Sequence, residues 1–247
     1  MLLVKGDVYV KFDPAGRMGN RMFQYAFGYL LAKARGCKFY HEELPNFNIP
    51  RLVKNPESPA INTRQLGNQK VNLKYLIDAD ENIIVDSFVQ RSEYYVHHKD
   101  ELKELFNIKD LPVINKGKLV MHIRETDYVQ IGCFLGLKEY LNLIERSGFS
   151  CSDTIIVTDN SYCSTVAELT KLGCKVNTEG YVDKFTHCAD DRGMQDFNTL
   201  LYSENIAVSH SSFSWWPAFL GNHKMILFPD ASGMWKNDND DCINLIL

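Results

Sequence analysis

Short apolar runs alternate with helical patterns along most of the chain. Seven runs of five to seven residues are rich in Val, Ile and aromatic residues, and stretches with apolar residues at helical spacing lie between them. This alternation is typical of α/β units built around parallel sheets, so we predict an α/β fold. The predicted strands are residues 8–12, 37–41, 83–88, 118–124, 154–159, 205–210 and 224–228.

Two stretches interrupt this rhythm. Residues 42–82 contain four prolines and little periodicity, so we predict a long irregular insertion of the kind that often forms a substrate wall. A charged helical pattern ends near Phe106, and Pro112 follows before the next strand. We therefore place a domain boundary here and predict domains at 1–112 and 113–247.

A glycine turn precedes the first helical pattern, in the segment "GRMGNRMFQYAFGYLLAK". We expect the helix to begin at Asn20, whose side chain is suited to capping free backbone N–H groups. A glycine turn before a helix N-terminus offers unpaired donors and a positive dipole end to an anion. The alternative is a tight turn that binds no ligand. The predicted buried face consists of Met22, Phe23, Ala26, Phe27, Leu30, Leu31 and Ala34.

Composition narrows the class of partner. The 247 residues are 45% hydrophobic and carry a net charge of −4, which argues against a general nucleic-acid binder and favours small-molecule partners. Seven cysteines without a Cys-x-x-Cys pair suit structural thiols in a reducing compartment. Without a signal-peptide core or an apolar run of membrane-spanning length, the sequence predicts a soluble cytoplasmic protein with no membrane span.

The segment "KLVMHIRETDYV" is an apolar strand that ends in polar groups. Ligands of α/β sheets bind beyond the carboxyl ends of the strands. His122 and Arg124 are two residues apart, so in an extended segment both side chains point the same way, and the guanidinium offers a fork of donors to phosphate oxygens. The alternative is an ion pair between Arg124 and Asp127 that closes a loop.

A second segment, "VSHSSFSWWPAFLG", repeats this design. Ser211 and Ser212 follow a strand at a predicted helix start, where hydroxyls and backbone N–H groups can hold an anion. Phe213 can lie against a ring, and we expect the two tryptophans behind it to pack in the core. The strand "IIVTDN" likewise ends in Asp159, which can accept hydrogen bonds from a purine base or a ribose.

Together, three separated segments resemble the glycosyltransferase family 11 α-1,2-fucosyltransferases. The family motif Gly-Gly-Leu-Gly-Asn-Gln-Met-Phe-Gln-Tyr-Ala is similar to "GRMGNRMFQYA", His-x-Arg-Arg-x-Asp-Tyr to "HIRETDY", and Asn-Ser-Ser-Phe-Ser-Trp-Trp-Gly to "HSSFSWWP". The resemblance implies a GT-B-like fold of two facing Rossmann-like domains with mainly parallel sheets. The second domain would hold GDP-fucose, and the first would receive a galactoside acceptor.

The resemblance also implies roles for individual residues. Arg124 would contact the diphosphate and Asn20 would position the reacting groups, so these two are the candidate catalytic residues. The implied donor-binding residues are Gly16, Arg17, Gly19, His122, Asp127, Asp159, Ser211, Ser212 and Phe213. The chain departs from the family motifs at Arg21, Glu125, His210 and Pro217. Glu125 replaces a second arginine, and we expect it to face away from Arg124 because alternate residues of an extended segment point apart.

The implied activity is inverting, metal-independent transfer of fucose from GDP-fucose to a sugar hydroxyl, O-2 of a galactoside in the family. No cofactor is implied beyond this donor. The sequence does not choose among Asp13, Glu42, Asp86 and Glu93 as the base. Two alternatives stay open: a nucleotide-sugar or glycan-binding protein that keeps the fold without efficient catalysis, and a metal-dependent transferase that uses Asp78 and Asp80.

Overall fold

The computed structural model describes residues 5–56, 59–67, 70–130, 134–181 and 191–230. The chain divides into two compact units, one ending at Leu102 and one beginning at Lys103. The sequence pattern places a boundary after residue 112 instead. Each unit contains its own parallel sheet, so the predicted α/β class with two Rossmann-like sheets is confirmed.

The first unit is built on a four-stranded parallel sheet in the order β2-β1-β4-β3. Its strands are β1 (Val8–Val10), β2 (Phe39–Tyr40), β3 (Ala60–Asn62) and β4 (Asn82–Val85). Its helices are α1 (Met18–Arg35), α2 (Thr63–Leu66) and α3 (Leu73–Asp78), and α4 (Lys99–Leu105) crosses the division between the units. Short 3₁₀ turns lie at Pro45–Phe47, Ser92–Tyr94 and Val96–His98.

The second unit is built on a five-stranded parallel sheet in the order β7-β6-β5-β8-β9. Its strands are β5 (Ile114–Ile123), β6 (Thr154–Thr158), β7 (Lys175–Val176), β8 (Ser203–Ala207) and β9 (Met225–Leu227). Its helices are α5 (Asp127–Gln130), α6 (Leu137–Ser147), α7 (Ser164–Lys171), α8 (Arg192–Tyr202) and α9 (Ser212–Leu220), with a 3₁₀ turn at Cys151–Asp153. In the described part of this unit, one apolar cluster packs around Met121, Tyr140 and Ile156 and another around Val120, Leu200 and Ile206.

All seven predicted strands are present in the structure. Two short strands at sheet edges, β3 and β7, were not predicted from the sequence because each has only two or three residues and no clear apolar pattern. The prediction of an irregular insertion at 42–82 is wrong in part, because this stretch contains β3, α2 and α3. Pairing with β4 adds β3 to the first sheet, an interaction that only the tertiary structure supplies.

Cysteine side chains are unbridged wherever the structure describes them. Cys37, Cys151, Cys163 and Cys174 are free thiols, and Cys174 is buried in the core of the second unit. The other three, Cys133, Cys188 and Cys242, lie outside the described residues.

Helix α1 packs one face against the first sheet. Its buried face includes Met22, Phe23, Ala26, Phe27 and Leu31, as the spacing predicts, whereas Leu30 and Ala34 are more accessible. The helix begins at Met18, with Arg17 at the N-cap, so the predicted start at Asn20 is wrong by half a turn.

Helix α1 lies close to the sheet at Gly28. A Cβ atom at this position would lie 2.4 Å from Val10 Cγ2 and 2.8 Å from Phe39 Cε2. Neither neighbour is the tip of a long flexible side chain, so a larger residue would force the helix away from β1 and β2.

We expect Gly28→Ala to lower the free energy of unfolding by about 1–3 kcal/mol, because overpacking outweighs the better helix propensity of alanine. Chemical denaturation monitored by circular dichroism measures this change. Gly36→Asn is the matched control: this C-cap residue is left-handed and has no atom within 4 Å of a built Cβ, a site that asparagine tolerates. Equal stability of Gly28→Ala and the parent would contradict the close approach.

Candidate functional site

Polar residues of the second unit gather beyond the carboxyl edge of its sheet. Arg124 follows β5, Asp159 follows β6, and residues 209–213 follow β8. These three strands are parallel neighbours, so their carboxyl ends meet at one edge. The predicted donor-binding residues of the second unit, distant in sequence, therefore lie together.

Arg124 is the centre of this group and is held by two carboxylates. Its Nε and Nη2 atoms donate to Asp127 Oδ1 and Oδ2, each over 3.0 Å, and its Nη1 atom lies 2.8 Å from Asp159 Oδ2. Its side chain is only 11% exposed. The ion pair with Asp127, which the sequence left as the alternative to a ligand contact, is present, and Asp159 adds a second partner.

The neighbours of Arg124 extend this network. Thr126 Oγ1 donates to Asp159 Oδ2 over 2.6 Å, and the Tyr128 ring lies 5.4 Å from the guanidinium carbon. Two carboxylates surround one guanidinium, so the local charge does not favour an anion in this arrangement. A diphosphate would therefore have to replace at least one carboxylate at Arg124.

His122 lies beneath this network and is 2% exposed. Its Nδ1 atom is 2.8 Å from Ser209 Oγ, and the Phe213 ring lies 5.3 Å away at an angle of 32°. Burial, and to a smaller extent the positive charge of Arg124, lowers the pKa of His122 from 6.5 to about 3. The imidazole is therefore neutral at physiological pH, and a buried ring offers little surface to a ligand.

The serine turn is a capped helix start, as the sequence predicts. Ser211 occupies the N-cap of α9, and its Oγ atom accepts a hydrogen bond from the Phe213 backbone N–H over 3.3 Å. Ser212 is the first helical residue. Behind them, Trp215 and Trp216 are fully buried, which confirms their core packing.

Glu125 occupies the position of the missing second arginine and is 5% exposed. Its negative charge contributes, after burial, to the raised pKa values of Cys163 and Tyr140, so the carboxylate lies near these two core residues. Among the described residues, its Oε1 atom has no hydrogen-bond partner. This position near Cys163 and Tyr140 agrees with the expectation that Glu125 faces away from Arg124.

In the first unit, the glycine turn packs against the protein itself. The Gly16 N–H donates to Asp13 O over 2.8 Å, and a Cβ at Gly16 would lie 3.0 Å from that oxygen and 3.2 Å from the Phe88 ring. Gln24 ties the same turn down: its side chain donates to Lys11 O over 3.0 Å and accepts from Asp13 N over 3.3 Å. These contacts explain Gly16 without a ligand, the alternative that the sequence left open.

Asn20 does not cap α1. Its Oδ1 atom accepts a hydrogen bond of 2.6 Å from Gln90 Nε2, and the cap position belongs to Arg17, which makes no side-chain cap bond. Arg17 is exposed and Gly19 is buried. Gln90, the hydrogen-bond partner of Asn20, was not predicted from the sequence, because no motif links the two residues. Ser209, the partner of His122, was missed although it precedes the serine turn by only two residues.

The candidate bases have different surroundings. Asp13 pairs with Arg64 over 2.6 Å, and Glu93 accepts two hydrogen bonds from Arg91. Asp86 Oδ1 accepts from the Thr63 hydroxyl and the Arg64 backbone N–H. Glu42, by contrast, is exposed and lines a cavity of the first unit.

In the part of the chain that the structure describes, no group of three or more His, Cys, Asp or Glu side chains is arranged to hold a metal ion. Among the same residues, no helix combines the length and the apolar character that a bilayer crossing requires.

Comparison with solved structures identifies similar folds. A substituted form of Arabidopsis thaliana FUT1 in complex with GDP aligns with a TM-score of 0.50 at 9% identity, over 96% of this chain and 72% of that one. The fucosyltransferase NodZ from Bradyrhizobium gives 0.47 at 11% identity, over 88% and 93%. POFUT1 in complex with GDP-fucose gives 0.46 at 12% identity, over 92% and 98%.

Of these three, the plant protein has the highest TM-score, and at 9% identity the likeness shows the fold alone. No protein-family model matches the sequence, and no curated protein does. The resemblance to glycosyltransferase family 11 therefore stays a prediction.

We expect the burial of His122 to make the protein less stable in acid. The unfolded chain takes up a proton near pH 6.5, whereas the folded protein does so only near pH 3. The free energy of unfolding therefore falls by up to about 1.4 kcal/mol for each pH unit between these values as the pH is lowered. His122→Gln should remove this component, seen as a flatter slope from pH 6.5 to 4 in urea denaturation.

Ser209→Ala is the control for this measurement, since it removes the hydrogen bond but keeps the imidazole. It should shift the whole stability curve and preserve the acid slope. An unchanged slope in His122→Gln would show that the imidazole is not held neutral in the folded state.

Proposed function

We propose that this protein transfers fucose from GDP-fucose to a sugar hydroxyl. The observation that carries the proposal is the gathering of three separated segments, around His122 and Arg124, Asp159, and Ser211 to Phe213, at one carboxyl edge of the second sheet. That edge is where open α/β sheets bind nucleotides. The plant fucosyltransferase with a similar fold was solved with GDP, which supports the same ligand class here.

The finer proposal follows the sequence resemblance: inverting, metal-independent transfer to O-2 of a galactoside. The acceptor oxygen forms a bond to C1 of fucose, the bond from C1 to the phosphate oxygen breaks, and its electron pair leaves with the GDP β-phosphate. The proton of the acceptor hydroxyl passes to a general base, for which Asp13, Glu42, Asp86 and Glu93 are the candidates. Fixed positive groups are needed where this charge develops. Arg124 and the backbone N–H groups at the start of α9 are the proposed donors, and Asn20, held by Gln90, is the proposed positioning group of the first unit.

The proposal requires Arg124 to exchange partners when the donor binds. Asp127 and Asp159 now hold its guanidinium, and the phosphate oxygens would take over part of this coordination. Asp159, once released, is free to accept hydrogen bonds from the base or the ribose, the role that the sequence assigns to it. Asp127 keeps the arginine oriented through Nε.

A second candidate function is favoured by one specific observation. Arg124 is already paired with Asp127 and Asp159, and Glu125 stands where the family motif has a second arginine. Fewer positive groups are then available to stabilise the leaving phosphate, which favours a nucleotide-sugar or glycan-binding protein that keeps the fold and has little turnover.

One experiment separates these candidates. Purified protein is incubated with GDP-fucose and lactose in EDTA, and released GDP and fucosylated product are quantified. Turnover in EDTA supports the proposed transferase, turnover only after a divalent metal is restored contradicts metal independence, and GDP binding without turnover supports the second candidate. NMR of the product determines the linkage and the anomeric configuration.

We expect Arg124→Ala to lower kcat by roughly thirtyfold to several thousandfold, because losing a buried charge-assisted contact costs about 2–5 kcal/mol. Arg124→Lys should recover only part of this loss, since an ammonium lacks the planar fork. Lys171→Ala, at the exposed end of α7, is the control with unchanged turnover. Thermal denaturation confirms folding of each variant, and normal turnover in a folded Arg124→Ala would refute the assignment.

A further inference from the structure

The first sheet has a second face that α1 does not cover. Val10 contacts α1 at Gly28, so its neighbour Tyr9 points to the opposite side of the sheet. Tyr40 and Ile84 lie in register with Tyr9 on the two adjacent strands, which gives a row across β2, β1 and β4. The rings of Tyr9 and Tyr40 are stacked, with centroids 5.1 Å apart and an interplanar angle of 18°.

This row forms the floor of a cavity of about 180 Å³, which we call the tyrosine cavity. The segment 51–56 supplies one of its walls. The volume is below the roughly 300–1,000 Å³ that is typical of sites for drug-sized ligands. It therefore suits one compact ring.

Positive charge dominates the rim of the tyrosine cavity. Among the residues that the structure describes, Lys11, Arg51 and Lys54 line it together with a single carboxylate, Glu42, although the whole chain carries a net charge of −4. Within the described ranges, no carboxylate pairs with Lys11 or Arg51. His41 also lines the cavity, and burial lowers its pKa, so the imidazole adds no charge at neutral pH.

These features match one ligand chemistry. Aromatic rings and an apolar floor pack against the C–H face of a sugar ring, and an arginine fork binds a carboxylate or a phosphate through paired hydrogen bonds. Glu42 can accept hydrogen bonds from sugar hydroxyls. A neutral sugar would leave Lys11 and Arg51 without a ligand partner.

We propose that the tyrosine cavity binds an acidic sugar unit of the acceptor, with its ring against Tyr40 and its carboxylate or phosphate at Arg51 and Lys11. This inference rests on the proposed function, because it names the class of acceptor for that reaction. The geometry of the cavity stands independently of the donor site.

Calorimetric titration without any donor tests the proposal. The probes are 3′-sialyllactose, which carries a carboxylate, galactose 6-phosphate, which carries a phosphate, and neutral lactose. At least one acidic probe should bind roughly tenfold to a hundredfold more tightly than lactose, the range expected for charge-assisted hydrogen bonds. The probe that binds more tightly identifies the acidic group, and equal affinity for all three would overturn the proposal.

Variants locate the binding. The double variant Lys11→Ala/Arg51→Ala should abolish the preference for the acidic probe, and Arg51→Lys should keep part of it. Tyr40→Leu should weaken every probe that binds. Lys74→Ala, an exposed position on α3 away from the cavity lining, is the control with unchanged affinities. A preference that persists in the folded double variant would place the acidic group elsewhere and overturn the proposal.

The two proposals fail separately. If an acidic probe binds as expected but no fucose is transferred in the presence of GDP-fucose, the proposed function fails and the cavity assignment stands. If fucose is transferred to lactose with no preference for an acidic acceptor and no effect of the double variant, the cavity assignment fails alone.

Discussion

The pairing of Arg124 with Asp127 and Asp159 is the interaction on which the candidate site depends. It joins the segment after β5 to the segment after β6, so it fixes two loops at the carboxyl edge of the second sheet. The same charge acts on the neutral His122 below it and adds to the effect of burial on that imidazole. Charge-assisted hydrogen bonds of this kind are stronger than neutral ones, and a partly buried guanidinium without partners would be costly.

This pairing also defines what a donor nucleotide must do. A diphosphate contacts the Arg124 guanidinium only by displacing a carboxylate. Its binding free energy is therefore the difference between the new contacts from phosphate to arginine and the lost contacts from carboxylate to arginine. Glu125 does not enter this exchange, because its side chain lies towards Cys163 and Tyr140. The plant fucosyltransferase shares the fold at 9% identity, and a shared fold leaves the chemistry to the particular side chains at the edge.

The two faces of the first sheet have different surroundings. One face receives α1 at a distance that only Gly28 permits, and the other presents stacked tyrosines beneath a basic rim. Strand alternation produces this division directly, since Tyr9 and Val10 must point to opposite sides. Hydrogen bonds from the Gln24 side chain and the Gly16 backbone N–H close the turn before α1. Asn20 takes no part in this closure and accepts a hydrogen bond from Gln90 instead.

The sequence by itself determined what depends on neighbouring residues: seven strands from apolar runs, the apolar face of α1, and the serine cap of α9. Only the tertiary structure decided the long-range partners. Gln90 donates a hydrogen bond to Asn20 from 70 positions away, Arg124 pairs with Asp159 in the segment after β6, and residues 60–62 form strand β3 by pairing with β4. Local patterns report backbone preference and burial, whereas a polar side chain takes whichever partner the packed elements bring within hydrogen-bond distance, and no spacing along the chain encodes that choice.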